Sequence, residues 1–250
     1  MKAIALKNFS FWYEEKKILN KVSVEINHGE FVGIVGRVGS GKTTLLYSMC
    51  GLIPLEIQGK TEGKSIIFGK SVNKWNSKEL MKKIAIVFQD PESQLFSLTV
   101  KEEIAFALKN FGYENIEKRI AGALKKVGLE TCIDEDPSKL SSGEKKLITI
   151  ACALARDAEV YIFDEPISNL DYSTQKIVYN IIRELNSKGK TIIVVEHNTE
   201  YLAELATKII VMRNGRAIEI GGKWILGKGY EEIKPCGIKP EMEIENLKGG

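Results

Sequence analysis

The sequence predicts an α/β protein built on a parallel sheet. Three observations carry this. A strand at residues 31–35 runs into a glycine-rich loop and then a helix, and the order strand, helix, strand returns between residues 160 and 195. The first third of the chain is made of short segments rich in β-branched and aromatic residues.

Taken in order, residues 3–10, 22–26 and 31–35 read as strands, punctuated at residues 14–17 and by Asn27-His28-Gly29. Gly36, Gly39 and Gly41 then loosen the backbone, and residues 42–50 run with helix formers until Gly51 stops them. A buried strand is predicted at 84–88, followed by Gln89-Asp90-Pro91. From 100 to 128 the pattern is helical, with Ile104, Leu108 and Phe111 on one face. A further helical stretch, 140–155, opens on Ser141-Ser142-Gly143. Residues 160–163 form a short apolar run ended by Asp164-Glu165-Pro166, the pattern of a central parallel strand. Ile177, Val178, Ile181, Ile182 and Leu185 give the next helix face, Gly189 ends it, and 191–195 is the next strand. Asn214-Gly215, between apolar runs at 208–212 and 217–220, signals a hairpin. Residues 221–250 lack long apolar periodicity and read as a small appended segment, partly ordered by Trp224, Ile225 and Ile233.

Composition narrows the function classes. The 250 residues carry 36 basic and 33 acidic side chains, a formal net charge of +3, with 44% hydrophobic and 28% charged residues. Such a chain buries a substantial core, and its near balance of charge leaves no basic stripe for sequence-independent nucleic-acid binding. The longest apolar runs, such as 191–195, fall far below the ~18 residues of a membrane span. Residues 1–10 are too short and too interrupted for a signal peptide, so the chain is expected to stay in the cytosol. Cys50, Cys132, Cys152 and Cys236 show neither a CxxC pair nor zinc spacing and are expected to be reduced packing residues.

The chemistry begins at Gly36-Arg37-Val38-Gly39-Ser40-Gly41-Lys42-Thr43, which fits G-x-x-x-x-G-K-[ST] between a strand and a helix. The glycines let consecutive backbone N–H groups turn inward, and the helix start that continues through Thr44 adds a positive dipole end. Lys42 is placed to reach terminal phosphates, and the Thr43 hydroxyl is a ligand for Mg²⁺, so the loop predicts binding of a nucleoside triphosphate. The second feature is the apolar strand that ends in Asp164 and Glu165. An acid at the carboxyl end of a central strand emerges where ligands of open α/β sheets collect. Asp164 is expected to hold the Mg²⁺ shell and Glu165 to polarise the attacking water, since phosphoryl transfer asks chiefly for positioning and charge compensation.

Leu140-Ser141-Ser142-Gly143-Glu144, just before that strand, resembles the LSGGQ signature of the ATP-binding-cassette (ABC) ATPases. Other motifs of that family match in order. Tyr13, in Phe11-Trp12-Tyr13, falls where the family has an adenine-stacking aromatic. Gln89 falls where a glutamine contacts Mg²⁺ or the attacking water and senses a membrane partner. Ser168-Asn169-Leu170-Asp171 resembles the loop that touches the opposite subunit, with Asp171 as the contact residue, and His197 ends the next strand where the family's switch histidine meets the γ-phosphate. The resemblance covers residues 3–220. It implies an ABC-type phosphate-loop fold over 1–220, with a mixed sheet core, an N-terminal antiparallel β subdomain and a helical subdomain inserted at about 92–156; residues 221–250 are left as a C-terminal extension.

The resemblance also implies partners. Two chains sandwich two ATP, so Ser141, Ser142, Gly143 and Glu144 of one chain act on the nucleotide of the other. Ser142 stands where the family has glycine, and a heterodimer with a different ATPase chain is favoured on that ground; a harmless variant at this position would leave a homodimer instead. The stretch from Phe88 to Phe96 is similar to the FQxPxxQLF segment of energy-coupling-factor ATPases and their cobalt and nickel relatives, which take up vitamins or transition-metal ions. Gln94, Leu95 and Phe96 are then expected to line a groove for a helix of an integral-membrane subunit, which works with a substrate-binding membrane component. The place of work is the cytoplasmic face of the membrane, reached through protein contacts. A DNA-repair ATPase of this superfamily is a poor fit, because the stretch between Lys42 and Leu140 is too short for a long coiled coil. A non-hydrolysing regulatory module is opposed by Glu165 and His197 both being in place.

Overall fold

The computed structural model describes residues 1–197, 199–223 and 225. In chain order they form β1 (Lys2–Tyr13), β2 (Lys16–Asn27), β3 (Phe31–Gly36), α1 (Lys42–Cys50), α2 (Leu52–Leu55), β4 (Lys60–Ile67), β5 (Lys70–Ser71), α3 (Ser77–Lys83) and β6 (Ile84–Val87). There follow α4 (Val100–Phe111), α5 (Ile116–Val127), α6 (Ser142–Ala155), β7 (Val160–Asp164), α7 (Tyr172–Ser187), β8 (Thr191–Val195), α8 (Thr199–Leu205), β9 (Lys208–Arg213) and β10 (Arg216–Gly221). Trp224, Ile233 and Cys236, and with them residues 226–250 of the appended segment, lie outside the described residues. Among the described residues no helix is long and apolar enough to cross a membrane.

The chain divides into two compact units, one made of Met1–Lys74 with the described residues from Ile193 on, the other of Trp75–Ile192. In the first, an antiparallel sheet has the order β2-β1-β4-β5, and β10-β9-β3-β8 belong to a mixed sheet. β3 is apolar apart from its glycines and buried at every position; its neighbour β9 runs parallel to it, from Val32 opposite Lys208 to Gly36 opposite Met212. A strand covered on both faces needs such an unbroken run in place of alternation. The predicted hairpin forms between β9 and β10, with Asn214 and Gly215 both at positive φ as a two-residue turn of that kind requires.

In the second unit β6 runs parallel to β7, from Ile84 opposite Val160 to Val87 opposite Phe163. The single helical stretch expected at 100–128 is two helices, because Gly112 and Asn115 both take left-handed conformations and turn the chain. α4, α5 and α6 pack on one another through Ile104 and Leu108, Ile120 and Leu124, and Leu147, Ile150 and Ala151. Tyr161 and Phe163 of β7 stack at 6.3 Å between ring centroids and are fully enclosed. Replacing Phe163 by Ala is expected to cost ~3–5 kcal/mol, read as a lower urea midpoint at unchanged slope.

Five elements went unannounced by local pattern. β4 is polar over most of its length and exists because it pairs with β1; α2, β5, α3 and α8 are too short for a period to declare itself. Cys50, Cys132 and Cys152 are free thiols. Burial pushes the Cys50 thiol up to about 12 and raises that of Cys152 as well, as suits cysteines that pack and do not react.

Candidate functional site

In the first unit β3 stops at Gly36, where an added Cβ would lie 2.4 Å from the Met212 carbonyl oxygen and 2.9 Å from Ser40 Oγ. Only glycine lets the chain leave the sheet here at φ 151°. The loop closes with Ser40 N–H donating to Arg37 O at 3.1 Å, and α1 begins after Gly41, which sits in the left-handed region and supplies no side-chain cap. The first-turn N–H groups of α1 therefore lack a side-chain acceptor from the cap position. Lys42 is folded back over the loop, its Nζ donating to Gly36 O at 2.8 Å and Arg37 O at 3.0 Å. The Ser40 hydroxyl is buried without a hydrogen-bond partner, and the space beyond Gly39 is open within 4 Å of where a Cβ would stand. Thr43 is exposed at the helix start, whereas Thr44 points into the packing. An orphaned hydroxyl, an uncapped helix start and a lysine amine around one glycine loop fit a polyphosphate.

The β9–β10 turn braces this loop. Gly215 N–H donates to Ser40 O at 2.9 Å, and Gly215 O accepts from Asn20 N–H at 2.8 Å. Arg37, Val38, Gly39 and Ser40 face Met212, Arg213 and Asn214 across a cleft of about 190 Å³. A Cβ on Gly215 would stand 2.1 Å from Ile18 O, so Gly215→Ala is expected to displace the brace and lower stability by ~1–3 kcal/mol. A thermal scan with and without ATP reads both the loss and any change in nucleotide binding.

At the end of β1 the three adjacent aromatics have different surroundings. Phe11 is fully buried. Trp12 lies opposite Lys17 on β2 and Lys60 on β4, and both ammonium groups sit over its ring at 4.5 and 4.9 Å. Tyr13 is 37% exposed and braced edge-on by Phe11 at 4.7 Å. His197 follows β8 and the buried Glu196, whose Oε1 accepts the His197 N–H at 2.8 Å; Glu196 N–H in turn donates to Ile34 O on β3.

The second unit holds the carboxylates. Asp164 ends β7 buried, and Glu165 takes a left-handed backbone at φ 47°, a strained choice for a non-glycine residue. Its Oε2 accepts from Gln89 Nε2 at 2.7 Å, so two residues far apart in sequence meet past the ends of the parallel strands β6 and β7. Asp171 caps α7 by accepting from the N–H groups of Ser173 and Thr174 and from both hydroxyls, that of Thr174 at 2.6 Å. Those hydroxyls hold its carboxyl well below the usual carboxylate range. A depressed folded-state value means that the stabilisation is fully present above the ordinary range and is lost as pH falls through the lowered one.

Ser141 is the N-cap of α6 and forms a reciprocal capping box with Glu144: its N–H and hydroxyl both donate to Glu144 Oε2, at 2.9 and 2.7 Å. The Ser141 hydroxyl accordingly lowers the Glu144 carboxyl. Ser142, the position that departs from glycine, is the exposed first residue of this helix, where a Cβ meets no backbone strain. Gly143 lies beside Thr174 and Leu170, its would-be Cβ at 3.6 Å from Thr174 Oγ1, which places the signature next to the loop ending in Asp171.

The expected groove residues behave differently from one another. Gln94 turns inward, its Oε1 accepting from Phe88 N–H at 2.9 Å; Leu95 is half-buried; Phe96 is 65% exposed and meets Phe106 edge-on at 4.8 Å. Leu98, 81% exposed, and Phe106 extend this apolar surface. The motif that points to Phe96 covers neither; Phe106 stands out of step with the buried face of α4, and Leu98 lies just before that helix with no periodic signal of its own.

A glycine loop between a buried strand and an uncapped helix, with a lysine folded over it, defines a phosphate-loop nucleotide-binding protein of the α/β class. The sequence profile of the family described as ABC transporter matches residues 19–168. This chain belongs to that family, and it is an ATP-binding, ATP-hydrolysing subunit of the ABC transporter type. It is 41% identical over 250 residues to a putative ABC transporter ATP-binding protein of Pyrococcus abyssi, covering 98% of this chain and 89% of that one. A namesake from Pyrococcus horikoshii is also 41% identical, with 98% and 88% covered. Among solved structures, cbiO1 from Clostridium perfringens, part of the ABC transporter complex cbiONQ, superposes with a TM-score of 0.79 at 27% identity, over 98% of this chain and 97% of that one. The ATP-binding cassette MJ0796, in a dimeric post-hydrolysis state bound to ADP and Pi, gives 0.78 at 29%, over 88% and 98%.

Proposed function

We propose that this chain is the ATPase subunit of an energy-coupling-factor type importer for vitamins or transition-metal ions, working at the cytoplasmic face of a membrane. The Gln89–Glu165 hydrogen bond carries the catalytic part of this reading: an amide fixed on a carboxylate at the end of a buried strand is suited to orient one water molecule. In this mechanism Lys42, the N–H groups of Gly39, Gly41 and Thr43, and the hydroxyl of Ser40 hold the phosphates of ATP. Tyr13 stacks on adenine, since Phe11 is enclosed and the Trp12 ring is taken by two lysines. Glu165 aligns water on the γ-phosphate, and Lys42 and His197 compensate the charge that develops there. Thr43, Gln89 and Asp164 are the residues to hold Mg²⁺, which supplies further charge compensation when bound.

The signature Ser141–Glu144 serves the ATP of a second ATPase chain, and Asp171 contributes to that contact while capping its own helix. ATPase activity should therefore rise faster than linearly with protein concentration in dilute solution; strict proportionality, with monomer confirmed by mass, would contradict the shared site. Ser142 motivates a heterodimer, and a stable, fully active homodimer formed by the pure chain with ATP would count against it.

Coupling to an integral-membrane subunit, and through it to a substrate-binding membrane component, is assigned to the surface of Phe96, Leu98 and Phe106. The likeness of residues 88–96 to the energy-coupling-factor segment and the superposition on cbiO1 support that partner class. Phe96→Asp together with Leu98→Asp is expected to cut co-purification of the membrane subunit at least tenfold, since each introduces a charge into an apolar contact. Full retention, with the circular dichroism of the variant unchanged, would move the docking surface elsewhere.

A further inference from the structure

We infer that Lys146 is a positioning residue for hydrolysis, holding the main chain at Phe88 and Gln89 so that the Gln89 amide stays set on the Glu165 carboxylate. This rests on the reading of Gln89 and Glu165 given above. Lys146 lies in the second turn of α6, is 2% exposed, and donates from Nζ to Phe88 O at 3.0 Å and to Gln89 O at 2.6 Å. A buried ammonium persists only where its donors are met, and here two of the acceptors are consecutive carbonyls. In an extended strand successive carbonyls point to opposite sides, so their convergence on one nitrogen requires the chain to turn as it leaves β6 at Val87.

The turn is gripped from its other side as well. Gln94 Oε1 accepts the Phe88 N–H, and Lys145, the neighbour of Lys146, pairs with Glu92 at 2.8 Å. Farther along the segment, Glu103 of α4 accepts the N–H groups of Phe96 and Ser97 at 2.9 and 2.8 Å. Within this set only Lys146 touches the backbone of the residue whose side chain meets Glu165. The helix that carries Lys146 is also the one that begins with the signature, so displacement at Ser141 has a direct mechanical route to Gln89.

Lys146→Met keeps the length and apolar stem of the side chain and removes the donors. It is expected to lower kcat roughly ten- to a hundredfold, the size of effect that a displaced positioning group produces, with KM for ATP changed less than about twofold. In a Gln89→Ala background the same substitution should lower kcat by less than about twofold, because the group it positions is already gone. Lys146→Arg, whose guanidinium can still donate to both carbonyls, should recover most of the rate. An equal fall in both backgrounds, or a raised KM at unchanged kcat, would overturn the assignment by showing a general structural effect. If the Met variant does not fold, Lys146→Gln, which keeps one neutral donor group, takes the same test. Glu165→Gln is measured in parallel: wild-type hydrolysis there defeats the reading of the site itself, whereas an inactive Glu165→Gln beside a fully active Lys146→Met defeats the role of Lys146 alone.

Discussion

Glu165→Gln is expected to lower kcat for ATP hydrolysis by ~10²-fold or more while ATP still binds, the loss that removal of a positioned general base produces. The substitution is nearly isosteric. Its side-chain carbonyl can still accept from Gln89 Nε2, which donates to Glu165 at 2.7 Å, so the hydrogen bond survives and the negative charge does not. Binding energy at the phosphate loop is untouched, and ATP-bound dimers should accumulate because the step that reopens them is blocked. Size-exclusion chromatography with ATP, beside a phosphate-release assay, reads both consequences. Hydrolysis at the wild-type rate would remove Glu165 from the catalytic role.

Lys42→Ala should fail one step earlier, at nucleotide binding, with Kd for ATP raised about 10²-fold, equivalent to ~2.7 kcal/mol. Lys42 Nζ is nearly buried and held by Gly36 O and Arg37 O, so its ammonium is already desolvated and aimed before a phosphate arrives. Charge-assisted hydrogen bonds from such a preorganised donor are worth more than those of a surface lysine. Isothermal titration with ATP tests this directly; affinity within a few-fold of wild type would show that the loop backbone alone suffices.

Much of the candidate site could be read along the chain. The phosphate loop, the Asp164-Glu165 pair and the Asn214-Gly215 hairpin each depend on contacts within a few residues, and each formed where its pattern pointed. Elements without such local support were harder to see. β4 is polar and takes its strand form from pairing with β1, and α3 is seven residues long, less than two full turns and too short for a periodic apolar face to stand out. The motif places Gln94 in the groove, yet its side-chain Oε1 accepts from Phe88 N–H. A motif reports residue type and spacing, and a glutamine satisfies either reading at the same position.

Residue order was thus sufficient for the class of protein, for the glycine loop between β3 and α1 and for the acids that follow the apolar strand, because short-range geometry constrains them. The partners of those residues were decided by packing over long distances in the chain. Gln89 and Glu165 are 76 residues apart and meet because β6 and β7 run parallel in register. Lys146 reaches carbonyls 57 and 58 residues earlier because α6 packs against β6. Hydrophobic periodicity tells which face of a helix is buried; which backbone atoms a buried ammonium will meet there is a property of the assembled fold, because desolvation makes an unmet donor costly.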